Sequence, residues 1–148
     1  MSTRTALFVA AAAVGVLVIA LARGEEPSGQ QRALRDDPMA TYVPQVGTLV
    51  DTDSQNEGSA LGKPMFARFS RIFKLPAGSS ERALRDAREA AVAAGWSEVG
   101  SNDRVFSADK QLPTGGARLG ITLLEDPRLL RDDVEPPALL VSLRHLGP

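Results

Sequence analysis

The seventeen residues from 6 to 22 are apolar without interruption, and no other feature of the chain constrains its fold and location as strongly. As a helix this segment is about 25 Å long, slightly less than a hydrocarbon core of about 30 Å but within the range of membrane spans. A helix that is apolar on every face must be enclosed on every face. A chain of 148 residues has too little other material to enclose it. The segment therefore predicts a transmembrane anchor that contacts membrane lipid.

Ala20 and Ala22 leave open the alternative that the segment is an export signal. Small residues at alternate positions are typical of signal-peptidase sites. However, residues 17–22 contain no proline, glycine or polar residue that would present an extended strand to the peptidase. The apolar run is also longer than the apolar region of a cleaved signal, which usually has about 7 to 15 residues. We expect the anchor to be retained, and cleavage after Ala22, which would release a secreted or periplasmic binding module, is the alternative.

The charges around the segment bear on its orientation. Arg23, Arg32 and Arg35 follow it, whereas only Arg4 and the terminal amine precede it. The excess of positive charge mildly favours a cytoplasmic C-terminal part. Because a very short head before a single span usually stays in the cytoplasm, we nevertheless expect residues 1–5 to be cytoplasmic. The protein would then be a single-pass protein of the cell membrane with an extracytoplasmic C-terminal domain.

Residues 23–45 contain three prolines, two glycines and charges of both signs, but no sustained apolar period. This composition predicts a disordered tether. A flexible chain of this length has a root-mean-square extension of about 25 Å. The remaining residues, 46–148, are expected to form one small domain with its core in 64–148.

Residues 46–50 predict a short strand, and residues 51–63 predict a polar loop. Asp51 and Asp53 in this loop resemble the start of a calcium-binding loop. An EF-hand needs glycine at the sixth position and glutamate at the twelfth, but these positions hold Asn56 and Gly62. The loop is therefore expected to be solvated and without a metal.

Residues 66–75 can be interpreted as a helix or as a strand. Apolar periodicity favours a helix, whereas three phenylalanines and an isoleucine in a short stretch between prolines favour a strand. We expect a strand. Residues 79–95 predict a helix, because Ser79 or Ser80 can cap its first turn and Gly95 suits its C-terminal stop. Trp96, just beyond the helix, is expected to close the edge of the core.

Three further strands are predicted at residues 105–112, 117–124 and 138–146. The sequence PTGG between the first two predicts a hairpin, because paired glycines adopt positive φ without steric cost. The predicted order is therefore β-α-β-β-β. This order indicates an α+β domain with one helix packed on an antiparallel sheet of about four strands.

The composition excludes several chemistries. The chain has no cysteine and a net charge of -1, so it lacks thiol chemistry and the broad positive field that nucleic-acid binding requires. A two-histidine metal site is excluded because the chain has a single histidine, His145. We expect this residue at a strand end, partly exposed to solvent, and not in a catalytic triad. An acidic loop that also contains arginines is expected to be solvated, with its charges neutralised within the loop. A carboxylate-based hydrolase is therefore the less favoured function. The acidic residues of this loop are Glu125, Asp126, Asp132, Asp133 and Glu135.

A cluster of basic residues is the one candidate binding surface. Its members lie between positions 63 and 88 and are opposed there only by Glu81 and Asp86. If they share a face, they could contact a partner or anionic lipid. We therefore expect a membrane-tethered, non-enzymatic envelope domain that binds a protein, a lipid surface or a small ligand, without a cofactor. The candidate surface comprises Lys63, Arg68, Arg71, Lys74, Arg82, Arg85 and Arg88.

Overall fold

A computed structural model describes residues 26–148 of the chain. The predicted membrane segment at 6–22 and the possible cleavage site at Ala20 and Ala22 lie outside the described residues. Within residues 26–148, no helix is both long enough and apolar enough to cross a membrane.

The described part is a small α+β domain with one main helix on an antiparallel sheet. A short helix, α1 (Gly29–Asp36), precedes the sheet, and the main helix is α2 (Ser80–Ala93). The six-stranded sheet has the order β1-β4-β8-β7-β6-β5, and β2 and β3 form a separate hairpin. The strands are β1 (Thr48–Gln55), β2 (Gly58–Ala60), β3 (Lys63–Met65), β4 (Arg68–Lys74), β5 (Ser97–Ser101), β6 (Val105–Leu112), β7 (Gly115–Leu124) and β8 (Ala138–Gly147).

The main core lies between the two helices and one face of the sheet. Alternate residues of each central strand point to this face, as the two-residue period of a strand requires. Helix α2 contributes mostly small side chains, so that its backbone comes close to the sheet. The largest fully buried apolar side chains of this core include Phe73, Phe106, Leu119, Ile121 and Leu139.

The structure confirms the elements with the clearest sequence signals. Residues 66–75 contain the strand β4, residues 79–95 contain α2, and the predicted hairpin between β6 and β7 turns at Pro113 and Thr114. Gly95 has a positive φ of 88° just past the end of α2. Trp96 is buried with 2% of its surface exposed. The sheet has two more strands than the four predicted. The additional strands are its two edge strands: β5, and β1, which extends into the predicted polar loop.

The N-terminal segment differs from the predicted disordered tether. Helix α1 begins at Gly29, with the Ser28 hydroxyl accepting from the Gln31 backbone N–H at 3.1 Å. Leu34 and Met39 are fully buried in the main core. Gln30 Oε1 also accepts from the backbone N–H of Ala67 at 3.1 Å. The chain is therefore part of the folded domain from Ser28 onward. Long-range contacts hold this segment in place, although its sequence has no regular apolar period.

The predicted polar loop at 51–63 also differs from the structure. Strand β1 continues through Gln55, and β2 and β3 pair through a two-residue turn at Leu61 and Gly62. Both turn residues have positive φ, 51° and 74°, as a type I′ hairpin turn requires. The strands form although every residue from Gly58 to Pro64 is exposed, so no apolar alternation could indicate them.

The second face of the sheet is covered only at one end. There Leu130 and Val134, from the loop between β7 and β8, pack with Ile72 and Leu140 of the sheet. The other end carries small and charged side chains with no described element packed over them. We call this uncovered region the open face, and it contains the candidate site.

Candidate functional site on the open sheet face

The predicted basic surface is divided between several parts of the domain. Arg68 and Lys74 alternate with the buried residues of β4 and point to the second face of the sheet. Arg71 points to the opposite, helix-covered face, together with Phe69 and Phe73. The other members lie on the β2–β3 hairpin (Lys63) and on α2 (Arg82, Arg85 and Arg88).

Arg71 has a structural role. Its guanidinium donates to the carbonyls of Ala40 and Tyr42 at 3.1 and 2.9 Å. The same group lies 5.0 Å from the centre of the Phe73 ring, a distance typical of a cation–π contact. Arg71 therefore holds the segment after α1 against the sheet.

Each of the three arginines of α2 has a carboxylate partner. Arg82 and Arg85 each lie 3.6 Å from Asp86, and Arg88 lies 2.6 Å from Glu98. Arg82 and Arg85 line an open groove of about 850 Å³ beside Tyr42. Burial raises the pKa of the Tyr42 phenol, and the charge of Asp86 raises it further. These arginines are far less available to an anion than the sequence indicates.

Register brings a different set of arginines together on the open face. Arg68 of β4 stands directly opposite Arg144 of β8, and Arg144 stands directly opposite Arg118 of β7. Side chains at such positions have Cβ atoms about 4.5 to 5.5 Å apart. We call Arg68, Arg144 and Arg118 the arginine row. Only Arg68 belongs to the predicted basic surface.

Aspartates neutralise the two ends of the arginine row. Arg68 lies 3.5 Å from Asp53, and both side chains are largely exposed. Arg118 donates to both oxygens of Asp109, at 2.7 and 2.8 Å. The hydrogen bonds from Arg118 lower the pKa of Asp109; partial desolvation opposes them, and the charges of Arg118 and Arg144 lower the pKa a little further. A two-point bond of this kind fixes the plane of the guanidinium.

Arg144 at the centre of the row has no carboxylate within 4 Å among residues 26–148. Its neighbours on both sides along the row are arginines. Like charges directly opposite each other on adjacent strands destabilise a sheet. The exposed Arg144 side chain is therefore a cation in a position that costs stability.

Small residues leave the sheet accessible next to the arginine row. The adjacent cross-strand positions hold Ser70, Ser142, Gly120 and Ser107, in that order across the sheet. We call these four residues the serine row. A side chain added at Gly120 would meet nothing within 4 Å. Partner groups can therefore approach the backbone of the sheet beside the guanidinium groups.

His145 differs from the predicted partly solvated residue, because only 1% of its surface is exposed. Its Nδ1 accepts from the backbone N–H of Gly147 at 3.0 Å. The proton of a neutral ring then lies on Nε2, which is 2.9 Å from the Thr114 hydroxyl. These bonds join the end of β8 to the β6–β7 turn, so that His145 serves the fold.

The acidic loop between β7 and β8 carries exposed carboxylates with local partners. Asp126 accepts from Arg128, and Asp133 accepts from Arg131. The hydrogen bonds from these arginines lower the pKa of both aspartates. Glu135 is also exposed and lies 3.8 Å from Lys74. Among residues 26–148, no three acidic or histidine side chains form a group that could hold a metal ion.

The sequence carried a partial signal for the arginine row. Alternation in β7 and β8 places Arg118 and Arg144 opposite to the apolar side of each strand. The pairing of β4, β8 and β7 decides which residues become neighbours, and pairing between strands distant in sequence cannot be obtained from alternation alone.

Comparison of the chain with models of known families, with curated proteins and with solved structures found no match. The site must therefore be interpreted from its own geometry.

Proposed function

We propose that the protein is a membrane-tethered, non-enzymatic domain of the cell envelope that binds acidic side chains of a partner protein through its arginine row. The apolar segment 6–22 supports the membrane location through its length and composition. The domain would then act as a recognition module held at the surface of the membrane.

The single observation that carries the binding proposal is the register of Arg68, Arg144 and Arg118 on three adjacent strands. Each directly opposed pair of like charges costs stability. A carboxylate placed over Arg144 would relieve this repulsion, because it can accept two parallel hydrogen bonds from one guanidinium. Binding of an acidic group would therefore stabilise the directly opposed arginines of the row.

The charges around the row favour short-range recognition over attraction to an anionic lipid surface. Asp53 and Asp109 already neutralise two of the three arginines. A surface with so little net positive charge attracts a diffuse layer of lipid charge weakly. A carboxylate in direct contact with Arg144 still gains charge-assisted hydrogen bonds.

The shape of the open face favours a protein partner. The serine row, which includes Gly120, forms an extended surface of small residues across four strands. Extended, exposed surfaces of this kind suit contact with another protein, whereas small ligands are usually bound in concave pockets.

Further observations support a role without catalysis. His145 is hydrogen-bonded within the fold. Asp126 and Asp133 of the acidic loop are each paired with a nearby arginine, so that these two carboxylates do not converge on a common substrate position. General acid–base catalysis requires positioned groups within hydrogen-bond reach of a substrate.

Cleavage after Ala22 would turn the same domain into a released binding module. The mass of the protein purified from its native membranes distinguishes the two forms. A chain beginning at Arg23 would support release, whereas a full-length chain in the membrane fraction supports the anchor.

The binding proposal is tested by titrating the full-length chain in detergent micelles with a glutamate-rich peptide, and separately with inorganic phosphate. We expect Arg144→Gln to weaken peptide binding about tenfold, the loss of a charge-assisted contact of about 1.4 kcal/mol. Arg85→Gln, which removes an exposed arginine from α2, is the matched control and should bind as wild type does. Equal affinities for wild type and Arg144→Gln would contradict the proposal. Binding of phosphate in preference to the peptide would also contradict it.

A further inference from the structure

The β2–β3 hairpin carries a fully exposed leucine at its tip. Leu61 has a relative exposure of 102%, and the residues on either side of it are also exposed. No other part of the described chain needs this side chain for packing. Its position on a projecting hairpin makes it available to an apolar environment outside the domain.

Leu61 also occupies an unfavourable backbone conformation. Its φ of 51° lies in the left-handed region, which is unfavourable for a leucine and which asparagine or glycine adopts more easily. A two-stranded hairpin is by itself marginally stable. Exposure and strain at the same residue point to a role outside the stability of the fold.

The hairpin lies beside the point at which the N-terminal segment enters the domain. The Asn56 side chain donates to the carbonyl of Glu26 at 3.2 Å and accepts from the backbone N–H of Ser28 at 3.1 Å. The Ser28 hydroxyl also donates to Glu57. Strand β2 begins immediately after these contacts, at Gly58.

The segment from the predicted anchor to this point and the segment from this point to the hairpin tip are about equally long. From Ala22, the last apolar residue of the segment, to Glu26 there are four residues, which span at most about 14 Å. From Glu57 to Leu61 there are also four residues, which span about 13 Å as a strand. A chain that leaves the membrane at Ala22 therefore holds the hairpin tip within reach of the bilayer surface.

We propose that the β2–β3 hairpin contacts the lipid bilayer, with Leu61 inserted into its interfacial region. This inference rests on the membrane anchor of the proposed function. Lys63 is the only charged residue from Gly58 to Met65, and a lysine can keep its ammonium group in water while its stem lies along apolar material. The contact limits rotation of the domain and keeps the end of the sheet that carries Gln55 and Arg68 near the membrane.

The chain contains no cysteine, so a single introduced cysteine can report the position of the hairpin. Full-length Leu61→Cys, labelled with a polarity-sensitive fluorophore and reconstituted into phosphatidylcholine vesicles, is compared with labelled Leu129→Cys. Leu129 is 66% exposed and lies beyond the opposite end of β7. We expect the label at position 61 to be blue-shifted and quenched by spin-labelled lipid, and the label at 129 to remain aqueous.

A second pair of variants tests Leu61 itself. The label is placed at Lys63→Cys with and without Leu61→Asn, a substitution that suits the positive φ of the turn. We expect loss of lipid quenching when Leu61 is replaced, with unchanged unfolding of the domain. Vesicle-bound protein with an aqueous label at 61 would overturn the hairpin contact and leave the anchor intact. Failure of the full chain to float with vesicles would overturn the anchor and the contact together.

Discussion

Lys110 Nζ lies 2.7 Å from Asp37 Oδ2, a contact between residues 73 positions apart in the chain. Asp37 also accepts from Trp96 Nε1 at 3.0 Å, and Lys110 also donates to the Ala94 carbonyl at 2.6 Å. Only 1% of the Asp37 side chain and 24% of the Lys110 side chain are exposed. This contact joins the segment after α1 to the sheet.

Replacement of Asp37 by alanine should destabilise the protein strongly. The change leaves the Lys110 ammonium and the Trp96 N–H without their buried acceptor, and removal of one partner of a buried ion pair costs about 3 kcal/mol or more. Asp36→Ala, at the exposed neighbouring residue, is the control and should change stability by less than about 0.5 kcal/mol. Thermal unfolding followed by the fluorescence of Trp96, the only tryptophan, measures both. Equal melting temperatures for the two variants would contradict the role of Asp37.

Arg144→Thr should stabilise the fold although it weakens binding of an acidic peptide. The substitution removes two directly opposed arginine pairs, each of which costs about 0.2 to 1 kcal/mol, and places a good strand-former in β8. Arg104→Thr, in which an exposed arginine outside the row is replaced, provides a comparison. Denaturant unfolding of the full-length chain in micelles would show a higher midpoint for Arg144→Thr. A lower midpoint would mean that Arg144 stabilises the sheet in a way that the register does not explain.

The Asp109–Arg118 pair should make stability depend on pH at the acid end. Hydrogen bonds from Arg118 lower the pKa of Asp109 below its ordinary value of 3.8. A carboxyl group with a lower pKa in the folded state contributes stability that is fully present above its ordinary pKa and is lost as the pH falls through the folded value. In Arg118→Gln this contribution is absent at every pH. Melting temperatures of wild type and Arg118→Gln, measured from pH 7 downward, should therefore begin to converge below the ordinary pKa and meet as the pH falls through the lowered pKa of folded Asp109; parallel curves would refute the linkage.

Gly115→Ala should be severely destabilising, whereas Gly116→Ala should be tolerated. An added Cβ at Gly115 would lie 2.4 Å from the Gly147 carbonyl oxygen, and Gly115 has a φ of 131°. At Gly116 the nearest atom would be 3.8 Å away, which is ordinary van der Waals contact. We expect a loss of about 3 kcal/mol for the first variant and less than about 1 kcal/mol for the second. The difference would disappear if the β6–β7 turn were able to rearrange around the methyl group.

Local signals in the sequence predicted the central elements well. Helix α2 has Gly95 at its end, and β6 coincides with the predicted strand at 105–112. These elements combine an apolar period with turn residues at both ends, so that local preference and tertiary packing favour the same structure.

The sequence could not indicate the folded state of residues 29–45 in the same way. Their burial depends on contacts such as Asp37 with Lys110 and Gln30 with the backbone of Ala67. Neither partner is near in sequence, and an eight-residue helix has little stability of its own. From composition alone, a segment rich in proline and charge therefore predicts disorder.

The candidate site was missed for a related reason. Sequence proximity grouped the basic residues from Lys63 to Arg88, whereas strand pairing grouped Arg68 with Arg118 and Arg144. Alternation assigns each arginine to a face, but the neighbours on that face depend on which strands pair and in which register.

The affinity of the full-length chain for a glutamate-rich peptide, compared between wild type, Asp109→Asn and Arg118→Gln, tests the central claim most directly. Asp109 competes with an incoming carboxylate for Arg118. We therefore expect Asp109→Asn to bind the peptide more tightly than wild type, and Arg118→Gln to bind it more weakly. Unchanged affinity in both variants, or weaker binding by Asp109→Asn, would contradict recognition of acidic side chains by the arginine row.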